Sequence, residues 1–168
     1  MEEKTKIIFL DIDGVLNVCY PEHDEYGRIF HPNFVDNLKR VIDETGAKIV
    51  ISSTWRYAGL ERMKEMWQKR NLPGEVIDVT PDCTYLYNEG LLQLTTRIER
   101  GHEIEYWLDE NPGLVENYVI LDDNSDFLPH QLGNFVMTSN NINHPDCVDI
   151  GYGLTKECAK KAIRILNG

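Results

Sequence analysis

The chain has 168 residues, 42% of them hydrophobic and 27% charged, with a formal net charge of −11. That length suits one domain with a real core, spanning 1–168, and is short for two. So acidic a balance argues against nonspecific binding to phosphate backbones, and no apolar run approaches the roughly 20 residues of a membrane span.

Residues 5–10, TKIIFL, have the short, isoleucine-rich character of a buried strand. The stretch HPNFVDNLKRVIDETG follows, with Phe34, Val35, Leu38, Val41 and Ile42 at helical spacing, Pro32 in the first turn and Gly46 just past the end. AKIVIS (47–52) is a second buried strand, and GLERMKEMWQKR (59–70) a helix with Leu60, Met63, Met66 and Trp67 on one face, stopped by Pro73-Gly74. EVIDVT (75–80) is a third strand, and residues 81–96 have no clear period and are expected to be a loop or flap. GHEIEYWLDE (101–110) is helical and ends at Asn111-Pro112-Gly113. NYVIL (117–121) and NFVMT (134–138) are the fourth and fifth strands, and a helix from about Thr155 to Leu166 closes the chain. Apolar strands alternating with amphipathic helices predict an α/β fold in which a parallel sheet is covered on both faces.

Ligands of such sheets bind beyond the carboxyl ends of the strands, at a topological switch point. The first strand ends on Asp11 and Asp13, and the fourth on Asp122 and Asp123, with Asp126 close behind. Ser52, Ser53, Thr54, Trp55 and Arg56 follow the second. One acidic strand end is readily a cap or turn; two, joined by a serine-rich end, ask for a cation. Hard carboxylate oxygens suit Mg2+, with Asp11, Asp13, Asp122 and Asp123 expected as its ligands. Asp11, at the strand terminus, is placed to attack phosphorus, and Asp13 to protonate the leaving alcohol and later activate water. Gly14 permits a tight turn there. Ser52, with Ser53 next to it, is expected to bind phosphate oxygens. Arg100 is the first choice for the neutralising charge, with Arg97 also in reach, and Arg56 is expected to hold substrate further out.

Other residues have blander readings. Trp55 has the chemistry to stack on a base, but a core position is the better expectation. His31 stands at a helix start, and His102, His130 and His144 show no zinc-like pairing. The segment DEYGR (24–28) reads as a surface turn or small flap over the cleft. Cys19, Cys83, Cys147 and Cys158 form no C-x-x-C pair and are expected to be reduced thiols. The start MEEKTK lacks the apolar core of a signal peptide, so a cytoplasmic location is expected.

These motifs resemble the haloacid dehalogenase (HAD) superfamily of phosphohydrolases. DIDGVLN is similar to its first motif, IVISS to its second and VILDDNSD to its fourth; arginine stands where the third motif normally has lysine. Together with RGHEIEYWL and a late GLT, the set is similar to the HAD domains of Swiss Army Knife RNA-repair proteins. The resemblance implies a three-layer Rossmann-like fold, obligatory magnesium, and a cap inserted at either of two points. The intervals here leave room only for a capless or minimally capped protein. The expected function is a Mg2+-dependent phosphohydrolase working through an aspartyl phosphate. The resemblance favours polynucleotide ends as substrate; the acidic charge favours a small nucleotide or sugar phosphate. A non-catalytic binding module of the same fold is the alternative outside enzymology, and a receiver-like phosphoprotein fits the D-x-D order poorly.

Overall fold

Apolar strand residues that alternate faces need cover on both sides, and the chain supplies it. In the computed structural model, which describes residues 3–17, 22–90, 99–139 and 152–168, β1 (Thr5–Leu10) runs up the middle of a five-stranded sheet. Its neighbours are β4 (Lys48–Ile51) on one side and β6 (Val115–Asp122) on the other. β5 (Val76–Val79) and β7 (Phe135–Met137) form the edges, giving the order β5-β4-β1-β6-β7 with every pairing parallel. Ile8 and Leu10 face one layer of core and Ile7 and Phe9 the other, as the two-residue period of a strand requires.

On the first face lie α1 (Pro32–Thr45), α2 (Leu60–Lys69) and α5 (Lys156–Asn167), which bury Phe34, Leu38, Met63, Met66, Ala159 and Leu166. Each large side chain removed from water in this layer contributes roughly 1.5–3 kcal/mol. The second face is covered by α4 (Arg100–Glu110) through Ile104 and Trp107, whose ring meets Phe9 edge-on at 5.4 Å. The result is the three-layer α/β arrangement expected from the pattern.

Local signals account for the boundaries. His31 caps α1, its Nδ1 accepting from the Asn33 N–H at 3.1 Å, and Pro32 opens the helix. Gly46, at φ 69°, closes it in the left-handed conformation that glycine adopts at little cost. Thr155 caps α5 by accepting from the Cys158 N–H.

Two segments differ from expectation. Residues 81–96 are not simply a loop: α3 (Cys83–Asn88) forms at their start, with Asp82 accepting from the Thr84 N–H, while 91–98 lie outside the described residues. One and a half turns are too few for a 3.6-residue period to show in a sequence. The DEYGR segment is a hairpin of β2 (His23–Asp24) and β3 (Gly27–Arg28), fastened to α2 when Arg70 Nε and Nη2 donate to the two oxygens of Asp24 at 2.8 and 2.6 Å. Within the described residues, that hairpin is the insertion between β1 and α1.

The chain steps from β1 outward through β4 to β5, then returns to the far side of β1 as β6. The reversal makes the carboxyl ends of β1 and β6, where the acids stand, the topological switch point of the sheet.

Candidate active site

Asp11 continues the β1 ladder, its N–H donating to Leu121 O at 2.9 Å, and Ser52 does the same from β4 onto Leu10 O at 3.0 Å. The sheet thus sets Asp11, Ser52 and Asp122 side by side. Asp11 is 3% exposed and Asp122 0%. Carboxylate oxygens of Asp11, Asp122 and Asp123 lie within 4.8 Å of one another. Asp123 reaches this group because residue 14 is glycine: a Cβ there would fall 2.2 Å from Asp123 Oδ2, and the backbone sits at φ 83°. Thr138 fixes the turn by donating its hydroxyl to Gly14 O at 2.9 Å.

Arg100 supplies the positive charge. Its Nη1 lies 3.3 Å from Asp11 Oδ1 and donates to Asp122 Oδ2. The first turn of α4 is locked in place to deliver it. Asp126 Oδ2 accepts from the Arg100 N–H at 3.1 Å, and Asp126 O accepts from the Gly101 N–H. The fully buried Gln131 donates to Gly101 O at 2.9 Å and accepts from the Leu128 N–H at 3.0 Å. A Cβ at Gly101 would lie 2.8 Å from Leu128 N, so glycine permits this approach. Asp126, which stands close behind the strand-end acids in sequence, therefore helps to fix the first turn of α4, whose N-cap is Glu99.

Electrostatics follow from burial and like charge. Burial first, then the neighbouring Asp122 and Asp123, push the Asp11 carboxyl up to about 8 despite the pull of Arg100. Burial raises Asp122 to about 6, against the pull of Arg100 and the Asn124 N–H. These acids resist ionising together unless a cation joins them. The donor set, three hard carboxylates converging on one point, fits a divalent metal.

A carboxyl whose pKa is raised on folding holds its proton more tightly in the folded chain. The chelated protein should therefore lose stability as pH climbs from 3.8 through about 6 to about 8. Added Mg2+ should restore it, with a larger gain in Tm at alkaline than at acid pH. Thermal melts with EDTA or Mg2+ across that range measure this; a Mg2+ gain independent of pH would contradict it.

The remaining predicted residues divide. Asp13 is exposed and its carboxylate is not in the three-acid group; Oδ1 accepts from Asn17 Nδ2 and Oδ2 from Trp55 Nε1 at 3.1 Å. Ser52 Oγ is buried and has no hydrogen-bond partner among the described residues. Ser53 caps the short 3₁₀ turn Thr54–Ala58, accepting from the Trp55 N–H. Arg56 does not stand ready for substrate. It is 5% exposed, donates to Thr80 O, Ser52 O and Ser53 O, and pairs with Glu103 at 2.9 Å. Turned inward under the strand ends, it ties β4 and β5 to α4. Arg97, Cys19, Cys147 and His144 lie outside the described residues. His102 accepts from the Glu99 N–H and His130 pairs with Glu105, both structural uses. Cys83 and Cys158 are free thiols.

Sequence reasoning passed over Asn17, Gly101, Glu103 and Gln131 as site components. Asn17 had a visible signal, since it ends the DIDGVLN motif. The others stand in plain helical or loop surroundings and become significant only through contacts.

A central parallel sheet with paired acids at the β1 and β6 termini, a serine at β4 and a cation from α4, the helix before β6, defines a HAD-type α/β domain. The chain belongs to the family described as the HAD domain in Swiss Army Knife RNA repair proteins, whose model matches residues 7–143. Comparison with curated proteins gives no match. Membership in this family implies hydrolase chemistry on phosphate, and the acidic cluster fits it. Among the described residues no helix is long and apolar enough to cross a membrane.

Proposed function

We propose that this protein is a Mg2+-dependent phosphatase that forms an aspartyl phosphate on Asp11. The observation that carries the reading is the meeting of Asp11, Asp122, Asp123 and Arg100 at one edge of the sheet from distant parts of the chain. Asp11, Asp122 and Asp123 would hold the ion, which offsets the repulsion among them and supplies charge against the phosphate oxygens when bound. The Asp11 carboxylate attacks phosphorus in line as the ester P–O bond breaks, and its electron pair leaves with the alcohol oxygen. Asp13, exposed at the mouth, gives that oxygen a proton. It then takes a proton from the water that attacks the acyl phosphate, releasing inorganic phosphate and restoring Asp11. Arg100 balances the charge building on the phosphoryl oxygens, and the Ser52 hydroxyl, which has no partner among the described residues, is available to one of them.

Family membership favours a terminal phosphate on a polynucleotide. The short β2–β3 hairpin supports a minimally capped, open site, which suits a bulky substrate. The charge of −11 favours a small ester instead. A panel of 3′- and 5′-phosphorylated oligonucleotides, nucleotides and sugar phosphates decides the class. We expect phosphate release that requires Mg2+, is highest on an oligonucleotide end and weakens steeply in KM as salt rises. Preference for a small ester with a flat salt response would reassign the substrate. No release from any of them would favour the binding-module reading.

A further inference from the structure

Asp13 needs more than proximity to serve as a proton donor: an exposed carboxyl on a turn samples many rotamers unless something holds it. Two donors from different elements do so here. Asn17 Nδ2 reaches Oδ1 from within the same turn, and the indole N–H of Trp55, 42 residues away in sequence, reaches Oδ2 at 3.1 Å. The indole is itself confined. A Cβ on Gly27 would lie only 3.3 Å from Trp55 Cη2, so the hairpin backbone closes over the ring. Phe30 packs against it at 5.6 Å, and the Arg70 guanidinium lies 5.8 Å from the ring centroid while gripping Asp24 of the hairpin.

We infer that Trp55, seated by the β2–β3 hairpin and Arg70, is a positioning residue that aims the Asp13 carboxyl at the leaving oxygen. The inference rests on the reading of Asp13 as proton donor in the proposed reaction. One indole does two jobs: its ring fills the space beneath the hairpin, and its N–H sets the direction of the acid. The proton that passes to the alcohol as the P–O bond breaks rides on an Asp13 lone pair that neither of these two donors takes.

Trp55→Phe keeps a ring and deletes the N–H. On an alkyl phosphate, whose poor leaving group needs the proton, kcat/KM should fall about tenfold, part of the roughly 10²–10⁴ that general acid–base catalysis contributes. On p-nitrophenyl phosphate, whose leaving group departs as a stable anion, kcat/KM should change less than about twofold. Equal losses on both esters, or none on the alkyl ester, would overturn the inference. Asp11→Asn and Asp13→Asn run in parallel: if both turn over the alkyl ester at the native rate, the proposed reaction through Asp11 and Asp13 itself fails, so the two failures are distinguishable. Circular dichroism melts establish folding. Should Trp55→Phe unfold, Arg70→Lys keeps the charge, opens the grip on Asp24 and is read by the same split between esters.

Discussion

Asp11→Asn is expected to lower phosphate release by about 10³-fold or more while leaving a folded protein. The amide cannot form the acyl phosphate, and none of Asp122, Asp123 or Arg100 replaces a nucleophile at the end of β1. The fold should survive, because the backbone of residue 11 continues the sheet whatever its side chain. Chelated Asp11→Asn should melt no lower than the native chain at pH 7–8, and we expect it to melt higher. In the native protein a buried carboxyl pushed up to about 8 is being forced to ionise in that range, against Asp122 and Asp123. A site whose charges oppose one another in the absence of a cation loses stability for the sake of chemistry, and removing one charge returns some of it. Phosphate release and thermal melts on the same preparation check both halves. Native-like turnover in the variant would refute the nucleophile; persistence of a phosphorylated Asp11 in the native chain would point to a receiver.

The second large effect concerns Arg56, which sequence reasoning assigned to substrate, and its partner Glu103. Glu103→Ala is expected to cost about 3–5 kcal/mol, because it strands the Arg56 cation in the interior. For a chain of this size each kcal/mol moves Tm by roughly 2–4 °C, so a drop of about 6–20 °C should follow. Glu103→Gln should cost less, since the amide oxygen still accepts from Arg56 Nη2. Replacing both partners with Met and Leu should not recover everything. Arg56 also donates to the carbonyls of Ser52, Ser53 and Thr80, which would lose their donor. The Glu103 carboxylate additionally accepts from the Cys83 N–H at 3.4 Å, so its loss loosens the start of α3 too. Denaturant unfolding of the three variants measures these costs. Turnover of the folded fraction should also fall in Glu103→Ala, because α4 carries Arg100. A Glu103→Ala protein as stable as the native chain would show that the pair does not hold the strand ends to α4.

The parallel sheet was legible because apolar runs of strand length alternated with helices of clear period, and burial on both faces admits few other arrangements. The meeting of Asp11 with Asp122 was legible for the same reason. A parallel sheet puts the carboxyl ends of its strands on one edge, so acids that end two strands come together whatever their separation in the chain. The acids could be placed by knowing only where the strands stop.

The fates of Trp55, Arg56, Asp13 and Asp126 could not be read that way. Trp55 and Arg56 are adjacent, yet one 3₁₀ turn capped by Ser53 sends the indole out to Asp13 and the guanidinium in to Glu103. Asp126 and Asp123 are three residues apart, yet one helps to fix the first turn of α4 and the other joins the three-acid group. Periodicity and burial are properties of a segment and its own backbone, so the linear chain carries them. The choice among chemically equal partners depends on which groups arrive within about 3 Å of each other, and that distance is set only when elements far apart in sequence pack together.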